Sequence, residues 1–165
     1  MKHLFLLRHA KSEWGDSSLA DLDRPLNDRG RAAAAAMGEE IRRLGLTFDL
    51  VIASPARRVR ETLAGAGFES DRTEPAIYNA SVETLLGLAR ASPDSAGSVL
   101  IAGHFPGLPG LALTLTEGRD DPLRKAVATK YPTAALAEIE LESDRWADVG
   151  GGSGRLVRFV RPRDL

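Results

Sequence analysis

Short apolar runs alternate with helical patterns along the first two thirds of the chain. Residues 3–7, 50–53 and 99–102 are mostly apolar and predict three buried strands. Between the first two runs, Asn27 is a helix-capping residue, and its helix is predicted to continue to about Leu44, with Gly45 as the stop. Strands separated by helices are typical of βα units around a largely parallel sheet.

Further helices are predicted after the second and third strands. Ser54 and Pro55 open one of them, since proline suits the first turn of a helix. Ser81 caps a short helix over residues 82–90, and another helix begins near Pro106. The pattern therefore predicts helices on both faces of the sheet.

The C-terminal part of the chain has a different pattern. Residues 134–141 and 156–160 alternate like strands, and the glycine-rich segment 150–154 connects them. Such a segment could cradle phosphate, but no strand–loop–helix pattern surrounds it, and a hairpin connection at a sheet edge is favoured. We predict one domain over residues 1–165, an α/β/α sandwich of three layers with a mostly parallel central sheet and an antiparallel C-terminal edge hairpin.

Composition narrows the classes of function. The net charge of -1 predicts no general attraction to nucleic acid or to an anionic membrane, so anion binding would need a local cluster of cations. The chain has no cysteine and only three histidines, which excludes thiol chemistry and disfavours a metal site. No apolar run is long enough for a signal peptide or a membrane span, and we expect a cytoplasmic protein.

Three predicted strand ends carry residues suited to one ligand. The first strand ends in Arg8 and His9, the second leads into a segment with Arg57 and Arg58, and the third ends in His104. In open α/β sheets, ligands bind beyond the carboxyl ends of the strands. Arginines match phosphate oxygens bidentately, and neutral imidazole is a competent nucleophile near pH 7. These residues predict phosphoryl transfer to His9, with His104 as a hydrogen-bond donor and with no metal or other cofactor.

Four segments resemble the motifs of the histidine phosphatase (phosphoglycerate mutase-like) superfamily. Leu7-Arg8-His9-Ala10 is similar to its RHG motif, and residues 54–62 (SPARRVRET) to its SPxxRAxQT segment. Residues 103–108 (GHFPGL) resemble GHNPG, and residues 24–30 (RPLNDRG) resemble its RPLTxxG turn. The segments occur in the family's order. The short chain resembles the small bacterial phosphohistidine phosphatases, and an open site is therefore expected.

The resemblance implies roles for individual residues. It makes His9 the nucleophile, Arg8 and Arg58 the phosphate-binding cations, and His104 the residue that completes the pocket. Ser12 is a candidate donor to phosphate, with a turn or helix cap as the alternative. The implied substrate is a phosphorylated protein or a small phosphate ester.

The chain departs from the family's motifs at three positions. Ala10 replaces the usual glycine and is expected to place a methyl group close to the phosphate pocket. Gly15 stands where many members have an asparagine that helps to bind phosphate, and Phe105 replaces the frequent asparagine after the second histidine. These changes are expected to affect the rate and the range of substrates but not the type of reaction, because the nucleophile and the cations are retained.

The general acid is less well defined by the sequence. Glu83 is the nearest counterpart of the carboxylate that protonates the leaving group in larger relatives. The alternative is that Glu83 only stabilises the first turn of its helix. A phosphohistidine substrate needs no such acid, because its protonated ring is already a good leaving group.

Two other functions fit the same residues. One is a mutase-type phosphotransferase, which would need a pocket that retains a phosphorylated sugar acid. The other is a non-catalytic module that binds phosphate or phosphoprotein. The oligomeric state is left open by the sequence.

Overall fold

The computed structural model describes all 165 residues and contains one six-stranded sheet. Its strands are β1 (Lys2–Arg8), β2 (Leu50–Ala53), β3 (Arg72–Thr73), β4 (Ser98–Gly103), β5 (Leu136–Leu141) and β6 (Gly154–Val160). The helices are α1 (Asp28–Arg43), α2 (Arg57–Ala66), α3 (Val82–Arg90), α4 (Gly107–Leu115) and α5 (Pro122–Thr129). None of these helices has the length and the apolar composition of a membrane-spanning segment.

The sheet is mixed, with the strand order β3-β2-β4-β1-β5-β6. The first four strands in this order are parallel, whereas β5 runs antiparallel to β1 and β6 runs antiparallel to β5 at the edge. The predicted architecture is therefore confirmed. Arg8 pairs with Gly103 and Ala53 pairs with Ala102, so that β1, β4 and β2 end at the same edge of the sheet.

The two faces of the sheet carry separate parts of the core. Leu4 and Leu6 of β1 belong to a 22-residue buried cluster that includes residues of α3, α4 and α5. Phe5 and Leu7 point to the other face, where a 12-residue cluster includes residues of α1 and α2. Because both faces are covered, the central strands read as continuous apolar runs rather than as alternating ones.

Two helices begin where the capping residues predict. The Asn27 side chain accepts a hydrogen bond from Gly30 N, and Ser81 accepts one from Thr84 N. Helix α1 ends at Arg43, and Gly45 has a φ of +70°, a value that glycine adopts without strain. These local signals correspond to hydrogen bonds within one turn of the chain.

Some predicted boundaries are wrong. Helix α2 begins at Arg57, and Pro55 lies before it, because the Ser54 hydroxyl accepts from Ala56 N and holds an extra turn there. Strand β5 begins two residues later than predicted, because Ala134 has a φ of +63° and its N–H donates to His9 O. The pattern also did not predict α5, β3 or the 3-10 helices Asp21–Asp23, Pro75–Ile77, Trp146–Asp148 and Pro162–Asp164.

Candidate active site

The ends of β1, β2 and β4 bring four of the predicted residues together. His9 follows β1, His104 follows β4, and their ring centroids are 5.5 Å apart. Arg8 is the last residue of β1, and Arg58 lies in the first turn of α2 behind β2. Both arginines are close enough to His9 to lower its pKa, so the two cations and the two imidazoles form one cluster.

His9 is held in one tautomer by its own backbone neighbour. Its side-chain Nδ1 lies 2.7 Å from Ala10 O. A carbonyl oxygen can only accept, so Nδ1 carries the proton and Nε2 keeps a free lone pair. Burial lowers the pKa of His9 to about 3, and the nearby charges of Arg58, His104 and Arg8 act in the same direction. The ring is therefore neutral at pH 7, as a nucleophile must be.

Arg8 and Arg58 each present an unpaired donor. Arg58 Nη1 donates to Asp21 O at 2.7 Å, and Nη2 donates to Asp21 Oδ2 at 3.1 Å, whereas Arg58 Nε is buried without a partner. Arg8 Nη1 donates to Tyr131 O at 2.8 Å, and its Nε is also buried without a partner. A buried N–H group without an acceptor is unfavourable, so both guanidinium groups have one hydrogen bond unmade in this structure.

His104 is oriented by a buried hydroxyl group. Its Nε2 lies 2.8 Å from Ser54 Oγ, and Ser54 is fully buried at the end of β2. Burial lowers the pKa of His104 to about 4, with Arg58 as the next cause. A neutral ring donates through one nitrogen only, so the hydroxyl of Ser54 influences which nitrogen that is. The sequence analysis interpreted Ser54 only as the start of a helix and did not predict this contact.

Asp21 is a residue of the site that sequence analysis missed. Its carboxylate accepts from Arg58, from Arg24 Nη2 at 3.0 Å and from the hydroxyl of Tyr78. The hydrogen bond from Tyr78 is the largest cause that holds the Asp21 pKa well below its usual range, and the two arginines add to it. This carboxylate is therefore ionised and is not a proton donor. Asp21 lies in a polar loop outside the four motifs, which is why no signal marked it.

The motif residues also join the loops of the site to one another. Thr62 Oγ1 donates to Arg58 O at 2.7 Å and accepts from Ala10 N at 2.9 Å, which links α2 to the chain after His9. The Ser12 hydroxyl is buried and accepts from Arg24. In this structure Ser12 therefore contacts Arg24, and its role as a phosphate donor remains a prediction.

The three departures from the motifs have different surroundings. The methyl group of Ala10 is fully buried in a small apolar cluster with Leu26, Ala34 and Ala134, where it has apolar partners. Phe105 is 55% exposed, and the Arg8 guanidinium lies 5.1 Å from its ring centroid. Gly15 is exposed, and its N–H donates to Glu13 Oε1. Phe105 thus forms part of the rim beside Arg8, which the sequence predicts to bind phosphate.

A cavity of about 300 Å³ adjoins His104, and the structure does not bring Glu83 into it. Ser81 and Leu85 line this cavity together with Phe105, whereas Glu83 is exposed and makes no hydrogen bond. Residues two positions apart on a helix do not share a face, so Glu83 lies away from the face that Ser81 and Leu85 present. The structure contains no group of three or more His, Asp or Glu side chains that could hold a metal ion.

Comparisons with known proteins identify the family to which this chain belongs. Residues 4–81 match the histidine phosphatase superfamily (branch 1). The chain is 34% identical to an uncharacterized protein of Mycobacterium tuberculosis over 160 residues, which cover 95% of this chain and all of that protein. The chain belongs to the histidine phosphatase superfamily.

Two solved structures indicate which class of enzyme within this superfamily the chain resembles. A protein of Nakamurella multipartitia assigned as a phosphohistidine phosphatase SixA superposes with a TM-score of 0.86 at 27% identity, covering 98% of this chain and 96% of that one. The corresponding protein of Agrobacterium tumefaciens gives 0.82 at 29% identity, with 98% of both chains covered. The family and the SixA-like fold indicate an enzyme of the phosphatase or phosphotransferase class.

Proposed function

We propose that this chain is a metal-independent phosphatase that forms a phosphohistidine intermediate on His9. The observation that supports it best is the state of His9, a neutral ring whose Nε2 is free and which lies beside two arginines. The unpaired Nε–H groups of Arg8 and Arg58 are donors for the phosphoryl oxygens. A site that only bound phosphate would need the arginines but not this nucleophile.

The reaction has two steps. His9 Nε2 attacks phosphorus in line, so that a P–N bond forms while the bond to the leaving group breaks. Arg8, Arg58 and a neutral His104 donate to the equatorial oxygens, where charge is spread in the transition state. Water then attacks the phosphohistidine, the P–N bond breaks, and inorganic phosphate leaves with His9 restored.

Phosphohistidine in a protein is the substrate class that the site favours, with small phosphate monoesters as the alternative. A protonated imidazole leaves without a general acid, whereas an alkoxide needs one. Asp21 is ionised and Glu83 does not face the cavity at His104, so neither of these carboxyl groups is placed to protonate an alkoxide. The likeness to the SixA structures supports the same substrate class.

The test uses para-nitrophenyl phosphate in the presence of EDTA, with the His9→Ala and Arg58→Ala variants. Arg57→Ala is the matched control, since Arg57 is the exposed neighbour of Arg58 and pairs with Glu61 instead. We expect turnover that resists EDTA, persists in the control and falls at least about a hundredfold in the other two variants. Loss of turnover on chelation, or full activity of His9→Ala, would refute the mechanism.

A rapid-quench experiment tests the intermediate itself. We expect an acid-labile, base-stable phosphoenzyme that is absent from His9→Ala. A histidine-phosphorylated protein serves as the second substrate, and 3-phosphoglycerate tests the mutase alternative. Formation of 2-phosphoglycerate would identify a phosphotransferase, and tight binding of a phosphoprotein without turnover would identify a binding module.

A further inference from the structure

A second cavity, of about 860 Å³, is lined by Arg8 and shares no lining residue with the cavity at His104. Its walls are formed by the end of β1 with the loop that follows, the start of α1, the helix α5 with the loop after it, and the C-terminal 3-10 helix. We call it the basic groove, because six of its cations make no ion pair: Arg8, Lys11, Arg29, Lys125, Lys130 and Arg163. A seventh cation, Arg161, pairs with Asp164.

The charge of the basic groove is local. The whole chain has a net charge of -1, yet no carboxylate lines this groove. Four segments that are far apart in the sequence supply the six cations. Most of the six side chains are exposed. Cations gathered within about one Debye length, roughly 8 Å at physiological salt, repel one another and produce a positive potential that attracts anions.

The groove is continuous with the proposed phosphate site. Arg8 lines it and also carries one of the unpaired Nε–H groups near His9, and Lys11 follows His9 by two residues. When a phosphorylated side chain binds at His9, the residues next to it in the substrate can therefore contact the groove. One phosphoryl group cannot satisfy cations that extend from β1 to the C-terminus, so the groove fits a ligand with several negative charges.

The chemistry of the lining selects among such ligands. Pockets for small organic molecules are mostly apolar, whereas this groove contains no large apolar side chain. Single-stranded nucleic acid is bound by basic surfaces that also carry aromatic side chains for stacking, and the lining has none. Carboxylates spaced along a polypeptide match exposed, widely spaced cations without either feature.

We propose that the basic groove binds an acidic segment of the protein substrate, next to the phosphorylated side chain. This inference rests on the proposed function for its substrate, but the binding itself does not require catalysis. Complementary charges at such a surface raise the association rate and distinguish acidic partners from basic ones. The groove is thus the part of the site that selects the phosphoprotein, while Arg8, Arg58 and the two histidines act on its phosphoryl group.

Binding is measured first, with the full chain carrying His9→Ala. A fluorescent twelve-residue peptide with six glutamates is compared with the same peptide carrying glutamines, by anisotropy at low and at high salt. The groove variant is Lys125→Gln/Lys130→Gln/Arg163→Gln, and the control is Arg60→Gln/Arg72→Gln/Arg145→Gln, three exposed cations outside the groove. We expect salt-sensitive binding of the glutamate peptide only, weakened about tenfold in the groove variant and unchanged in the control, because three exposed ion pairs are lost.

Turnover is measured next, with His9 intact. The groove variant is expected to hydrolyse para-nitrophenyl phosphate as the wild type does, and to show a KM about tenfold higher for a phosphohistidine peptide flanked by glutamates. If the glutamate peptide binds through the groove but no phosphohistidine is hydrolysed, the proposed function fails and the groove assignment stands. Equal binding of both peptides, equal losses in the groove and control variants, or tighter binding of oligouridine or tripolyphosphate would overturn the groove assignment.

Discussion

Asp21→Asn is the substitution whose consequences follow most directly from the site. Asp21 contributes the one carboxylate that pairs with Arg58 and Arg24. Asparagine keeps the shape of the side chain and one acceptor oxygen, and the bond from Arg58 Nη1 to the backbone carbonyl of residue 21 is unaffected. The substitution therefore removes a negative charge while it leaves Arg58 anchored.

The substitution is expected to lower stability. A hydrogen bond to a charged group contributes about 1 kcal/mol more than a neutral one. Three donors share this carboxylate, but the Asp21 side chain is 46% exposed, and solvent screening reduces each contribution. We expect a loss of about 1–2 kcal/mol in the free energy of unfolding, or about 2–8 °C in Tm for a domain of this size.

The expected effect on phosphate binding has the opposite sign. The Asp21 carboxylate is negatively charged and therefore repels an anion that binds to the Arg58 guanidinium. For a dianion roughly 8 Å away in the dielectric of water, this repulsion is about 1 kcal/mol, which corresponds to about fivefold tighter binding of phosphate in the variant. Because hydrogen bonds from Tyr78 and the two arginines lower the pKa of Asp21, its carboxylate stays ionised between pH 5 and pH 8, and the effect should be larger at pH 8, where phosphate is mainly a dianion, than at pH 5.

The assay combines urea unfolding with the inhibition constant of inorganic phosphate against para-nitrophenyl phosphate. Asp23→Asn is the matched control, since Asp23 is an exposed residue of the same 3-10 helix and makes no ion pair. Phosphate binding that weakens threefold or more in Asp21→Asn, under conditions in which the variant is fully folded, would refute this reasoning. Asp21 would then position Arg58 for phosphate rather than compete with phosphate.

Three further substitutions have defined outcomes. His9 stays neutral in the native state down to about pH 3 but is protonated below about pH 6.5 in the unfolded state, so the stability of the protein falls as the pH decreases through this window. His9→Asn should reduce the slope of the unfolding free energy against pH by about 1.4 kcal/mol per pH unit between pH 6 and pH 4. Urea unfolding at several pH values measures this slope. Ser54→Ala removes the hydroxyl group that orients His104, so kcat should fall about tenfold while KM changes less than twofold in steady-state assays; an unchanged kcat would show that the ring is held by its packing alone. Glu83→Gln should leave the hydrolysis of alkyl and aryl phosphates equally unaffected, because Glu83 does not face the cavity at His104, and a selective loss on alkyl phosphates would restore its role as general acid.

Local signals account for the parts of the fold that were predicted well. The middle residues of the strands β1, β2 and β4 are buried on both faces of the sheet, which is why they form continuous apolar runs in the sequence. Asn27 and Ser81 form their caps within one turn, so residue type alone marks the helix start. The prediction that three strand ends converge depended on parallel pairing, which short strands separated by helices already indicate.

What the sequence by itself determined was the fold class, the positions of the motifs and the chemistry that Arg8, His9, Arg58 and His104 can perform. Only the tertiary structure placed Asp21 against Arg58, turned Glu83 away from the cavity at His104 and gathered Lys11, Lys125 and Arg163 into one groove. The physical reason is the range of the interactions. Capping and burial act over a few residues and leave a periodic pattern, whereas a loop carboxylate or a surface lysine finds its neighbours only when distant segments pack, and no local pattern records that contact.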